Sequence, residues 1–179
     1  MAVRLPIPWD DFGFPSPVDL GGTILLDGEV AWEWESDTEP DAAAPAFEID
    51  RCGPARAKDG PAGWSVDHVV LMVPSLDAAI ETFASSHMRP RLRTSIDGRA
   101  MAFYRAHTVI EVIESPVRSA ALYGIALTTD EPLEVVALRW RSLGHEVTDP
   151  KPAIQQGRRI LTVRGLGSGL AIMSADRAR

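Results

Sequence analysis

A near-repeat in the last two-thirds of the chain constrains its fold more than any other feature. Residues 66–114 run VDHVVLMVPSLDAAIETF, AMAFYRA and TVIEVIE; residues 122–174 replay that order as LYGIALTTDEPLEVVALRW, RRILTVRG and GLAIMS. In the first copy the apolar run 66–73 predicts a strand that Pro74 interrupts. Ser75 is placed to cap a helix whose Leu76, Ala79, Ile80 and Phe83 recur at i, i+3, i+4 and i+7. Strands are expected over 89–96, 99–106 and 108–114, the first two joined by an Asp97-Gly98 turn. In the second copy, a strand over 122–128 precedes a helix capped by Asp130, with Leu133, Val136, Ala137, Trp140 and Leu143 on its apolar face and Gly144 as its stop. Three further strands are expected over 145–148, 158–164 and 169–174. The order βαβββ therefore occurs twice. Neither copy can bury a whole sheet face alone, so the expected fold is α+β, with two βαβββ modules paired around a shared cleft.

The modules span residues 64–115 and 120–175 of a unit covering 64–179, and residues 1–63 read as an extension. The extension is acidic: it holds 13 of the 25 acidic residues and 4 of the 18 basic ones, a net charge of −9 against +2 for the remainder. Its one ordered candidate is TILLDGEVAWEWE, where Asp27-Gly28 predicts a two-residue β-hairpin with Val30, Trp32 and Trp34 on one strand face. No apolar run approaches the roughly 20 residues of a membrane span, and the start lacks the layout of a signal peptide, so a soluble, cytoplasmic protein is expected. An acidic chain without a long basic stripe repels phosphate backbones, which argues against nucleic-acid binding. The single Cys52 forms neither an internal disulfide nor a thiolate metal site.

The segments VDHVVLMVPSLDAAIETF and VIEVIE, with YGIALTTDEPLEVVALRWRSLGHEV and LAIMS, resemble the vicinal oxygen chelate superfamily of glyoxalase I, extradiol dioxygenases, and fosfomycin and bleomycin resistance proteins. The resemblance covers about residues 64–175. It implies that each module gives one metal ligand from its first strand and one from its last. His68 and Glu111 stand at those positions in module one, and an imidazole with a carboxylate suits Zn, Ni, Mn or Fe. In module two the matching positions hold Gly124 and Ala171, which offer no ligating side chain. His107 shares the parity of Glu111 but lies about 13 Å away along the strand. His145 falls just past the second helix, away from the expected cleft.

The same two residues have readings without a metal, as a polar pair that orients a ligand or as a general acid and base. Loss of the second-module ligands would leave a small, apolar lining of Gly124, Ala126, Gly169, Ala171 and Met173, facing Val70, Met72, Val109 and Ile113. Arg89, Arg91 and Arg93 alternate along one strand, with Arg105 on the next; they clamp an anion if they face the cleft, or only solubilise the sheet if they face solvent. Three function classes follow. The preferred one is a glyoxalase-like protein that binds a small, partly apolar organic molecule without a complete metal centre, as bleomycin-binding members of the superfamily do. The alternatives are a divalent-metal lyase, isomerase or dioxygenase using His68 and Glu111, and a scaffold that contacts partners through the Trp32/Trp34 hairpin. Superfamily members pair their modules within a chain or across a dimer, and a homodimer is expected.

Overall fold

A computed structural model describes residues 1–33, 45–53 and 55–175. In chain order its elements are β1 (Ala2–Leu5), a 3-10 turn (Trp9–Phe12), β2 (Val18–Leu20), β3 (Thr23–Asp27), β4 (Ala31–Glu33), β5 (Lys58–Asp59), β6 (Trp64–Val73), α1 (Leu76–Ser85), β7 (Leu92–Ile96), β8 (Arg99–Arg105) and β9 (Val109–Glu114). They continue with β10 (Ala121–Thr129), α2 (Leu133–Ser142), β11 (Glu146–Val147), β12 (Lys151–Pro152), β13 (Arg159–Arg164) and β14 (Gly169–Ser174). None of the described helices is long and apolar enough to cross a membrane.

Nine strands from both modules form one sheet in the order β11-β13-β14-β10-β6-β9-β8-β7, with β12 paired to β13. The opening strands β6 and β10 pair antiparallel at its centre, and each pairs parallel with the closing strand of its own module, β9 or β14. The two βαβββ modules are thus joined within a single chain. Alternation sorts the side chains. Val69, Leu71, Val73, Ile110 and Val112 are buried on the face that carries the helices, while His68, Val70, Met72, Glu111 and Ile113 are half-buried on the other. Local signals position the elements as expected in module one. Ser75 accepts a hydrogen bond from the Ala78 N–H, and the β7–β8 turn has positive φ at both Asp97 (51°) and Gly98 (77°). In module two Pro132, not Asp130, precedes α2, and Leu143 is 60% exposed rather than buried with the rest of its stripe.

Residues 1–33 and 45–59 differ most from expectation. Five short strands build a second sheet, β4-β1-β3-β2-β5, whose Val3, Leu5, Val18, Leu20 and Leu25 join the same core as the modules. The expected Asp27-Gly28 hairpin does not form: β1 lies between β3 and β4, parallel to one and antiparallel to the other. A turn signal specifies only a reversal between neighbours in sequence, and here the N-terminal strand takes the place beside β3. Trp32 is 3% exposed and packs near Phe47, so it offers no contact surface; Trp34 lies outside the described residues. Phe14 meets Trp64 edge-on at 5.0 Å and Phe12 meets Trp140 at 4.8 Å, while Phe47 reaches Phe83 of α1 at 5.1 Å. The N-terminal segment therefore closes the helix-bearing side of the modules.

Candidate functional site

On the helix-free face the register of β6 and β10 slips by one residue. Ala126 opposes His68, but Leu127 opposes Val66, leaving Asp67 as the extra residue of a β-bulge. A bulge re-aims a side chain that strict alternation would send to the other face. Asp67 consequently reaches the His68 ring, its Oδ2 standing 2.8 Å from Nδ1. On the other side of the ring, Glu111 Oε2 is 3.0 Å from Nε2. Arg158, just before β13, completes a chain of four groups. Its Nη2 is 2.6 Å from Asp67 Oδ1 and donates to Thr128 Oγ1 at 3.2 Å, and its Nε donates to the Ser174 carbonyl at 2.9 Å.

These side chains are only 11–18% exposed. With carboxylates at both ring nitrogens, His68 is a double donor, an imidazolium. Burial pushes its pKa down, but the hydrogen bonds it donates to Asp67 and Glu111 outweigh it and raise the value from 6.5 to about 9. Burial likewise pushes the Asp67 carboxyl up, and the bonds from His68 and Arg158 hold it below its ordinary value. Charges alternate as Glu111⁻, His68⁺, Asp67⁻ and Arg158⁺, and cancel.

The second-module side of this face is closed rather than roomy. Gly124 pairs with Gly169, and a Cβ at Gly124 would overlap the Gly169 backbone; a Cβ at Gly169 would in turn come 2.6 Å from the Tyr123 ring. Tyr123 is itself the extra residue of a bulge in β10. Ala126 and Met173 are buried at 1% and 2%, and Arg158 spans this end of β14 and β10. At Gly124 the two strands approach too closely for a Cβ. What remains open is the floor from His68 toward Met72, where Val70, Met72, Phe103, Val109 and Ile113 are half-buried.

The arginines do not share a face. Arg93 pairs with Ala102 on the helix side and binds Asp77 of α1 at 2.9 Å, whereas Arg105, in register with Val109, is exposed on the His68 side. Arg91 precedes β7 and has an exposed side chain. Neither Asp67 nor Arg158 figured among the residues expected from sequence. Asp67 sits in a strand where alternation assigns it to the opposite face, and Arg158 belongs to no periodic pattern.

The donor set does not fit a divalent-metal centre of the superfamily type. Both nitrogens of His68 are engaged by carboxylates, Gly124 has no room for a side chain, and Ala171 has no donor atom. Among the described residues no group of three or more His, Cys, Asp and Glu side chains is arranged to hold a metal ion. A pocket of about 530 Å³ lies elsewhere, between the 3-10 turn and α2. Its Phe12, Phe14, Trp64 and Trp140 pack on one another, and Glu131 is taken up by Trp64 Nε1 at 2.8 Å and Arg139 at 2.8 Å. Those groups have little left for a ligand.

No family model and no curated protein matches the chain. Solved structures do. Methylmalonyl-CoA epimerase from Mycobacterium tuberculosis is 19% identical with a TM-score of 0.51, covering 62% of this chain and 87% of its own. The Streptomyces coelicolor epimerase in complex with 2-nitronate-propionyl-CoA is 16% identical at 0.52, covering 64% and 96%. A hypothetical protein from Bacillus halodurans is 15% identical at 0.54, covering 65% and 97%. At such identities the likeness concerns the fold, which is that of the vicinal oxygen chelate superfamily, to which the epimerases belong.

Proposed function

We propose that the helix-free face binds a small organic molecule with an uncharged polar end and an apolar body, and that it does so without a metal. The observation that carries this reading is the chain Glu111–His68–Asp67–Arg158 at the end of an apolar floor. Because its four charges already cancel in a mostly buried setting, bringing a further net charge against it would cost desolvation without compensation. A neutral group that both donates and accepts can instead bond Glu111 and the guanidinium while its apolar remainder covers Val70, Met72 and Ile113. Few convergent polar groups at the end of an apolar surface are the usual form of a small-molecule site. A thermal-shift screen of neutral primary and secondary amides, run with EDTA and with added Ni²⁺ or Zn²⁺, tests the reading. A stabilising compound should act equally in EDTA; a shift that requires the metal overturns it.

The 3.0 Å contact between Glu111 and the protonated His68 favours a second reading, cofactor-free proton transfer at a carbon next to a carbonyl. Glu111 would accept the proton, and the positive charge of the His68 imidazolium beside it would offset the charge developing on the enolate. The epimerase neighbours suggest a probe. With methylmalonyl-CoA in D₂O and EDTA, proton NMR should show the α-proton exchanging faster than in a protein-free blank, and Glu111→Gln should return the rate to the blank. A rate equal to the blank with the unmodified protein removes this second reading.

A further inference from the structure

A piece of the N-terminal sheet lies beside the charged end of the floor, against Ser65 and His107. β2 and β3 are joined by Gly21 and Gly22, with Leu20 opposite Thr23 and φ of 69° and 88° at the two glycines. Asp19 fixes the turn by accepting a hydrogen bond from the Gly22 N–H at 2.6 Å. Ser65 pairs with Thr128 on the helix-free face, and a Cβ on Gly21 would come 2.9 Å from Ser65 Cβ. A Cβ on Gly22 would overlap the His107 imidazole, in the loop between β8 and β9. In that same loop Thr108 donates to the Asp67 carbonyl at 3.4 Å. The turn, the His107 loop and the Asp67–Arg158 pair therefore meet at one end of the floor, and both turn residues are glycine where a side chain has no space.

We propose that the Gly21–Gly22 turn is the end wall of the ligand cleft, limiting how far a bound molecule extends past His68 and keeping water from the Asp67–Arg158 pair. It rests on the cleft reading above and adds a residue-level determinant of ligand length. A ligand enters from the Met72 and Ile113 end, and its polar end stops at Glu111 and the Arg158 guanidinium. Nothing in the two-module repeat supplies this wall; it belongs to the segment that precedes the repeat.

Gly22→Ala tests the proposal, because the new methyl group must displace either the turn or His107. Two readouts are compared with the unmodified chain: water exchange of the His68 ring N–H protons by NMR, and calorimetric binding of straight-chain amides from butanamide to decanamide. The expected result is at least ten-fold faster ring-proton exchange with a much smaller change in urea midpoint, and a binding optimum moved to longer amides. Gly22→Ala combined with His107→Ala removes the collision but not the strain of a side chain at φ 88°, so exchange should fall back part of the way toward the unmodified rate. Unchanged exchange in Gly22→Ala, or exchange that rises only in proportion to lost global stability, overturns the wall. An unchanged length optimum overturns its role in specificity. If no amide binds either protein, the cleft reading fails while the exchange comparison still decides the wall.

Discussion

His68 touches a carboxylate at each ring nitrogen, and that arrangement decides which protonation state the folded chain prefers. A ring whose pKa rises from 6.5 to about 9 stabilises the fold fully below pH 6.5, and that contribution is lost as pH rises through 9. Urea unfolding at pH 6 and pH 9.5 should therefore show a decline of up to about 3 kcal/mol, since each pKa unit corresponds to about 1.4 kcal/mol. His68→Gln should remove most of that decline; equal declines in both proteins would show that the native ring is not protonated. His68 and Glu111 were singled out in the sequence by the family resemblance, which places a ligand on the first and last strands of module one, and the structure sets the two side chains against each other. Their partners were not legible there. Asp67 needs a bulge to face His68, and a bulge is a property of pairing with β10 rather than of the residues 66–68 themselves. Arg158 reaches the site across β14 and β10, strands to which its own sequence neighbourhood gives no pointer.

Among elements, signals that act within a few residues were the readable ones. The Ser75 cap and the Asp97-Gly98 turn formed where the residues placed them. Asp27-Gly28 carries the same turn chemistry, yet β3 and β4 are separated by β1, because the choice of partner strand is settled by burial of Val3 and Leu5. The pairing of β10 with β14 gives a sharper case. Gly124 and Gly169 let the two backbones approach, and the Tyr123 ring lies against Gly169. Gly124→Ser, which would begin to rebuild a ligand position, is expected to destabilise the protein by about 1–3 kcal/mol through overpacking and to gain no Zn²⁺ affinity. Chemical denaturation and calorimetric Zn²⁺ titration check both parts. A stable, zinc-binding variant would show that the position has room for a ligand after all.

At the scale of the molecule, the N-terminal sheet and the two modules share one core, joined by the ring contacts of Phe12, Phe14 and Phe47 with Trp140, Trp64 and Phe83. The repeat made the nine-stranded sheet readable, but the acidic, Pro-rich stretch before it concealed five short strands with no period of their own. A chain reduced to residues 64–179 would expose Trp64, Trp140 and Phe83 to water. It should bind the dye anilinonaphthalene sulfonate and lose cooperative thermal unfolding; a sharp transition without dye binding would make the N-terminal sheet an accessory. The central claim is that a proton and a guanidinium stand at this site, where the resemblance read from the sequence would place a metal. Nitrogen-15 NMR of the His68 ring at pH 7.5, in EDTA and then with excess Zn²⁺, tests it most directly. The expected result is an imidazolium with both ring nitrogens protonated and unchanged by zinc; a neutral ring whose Nε2 signal moves when zinc is added would contradict it.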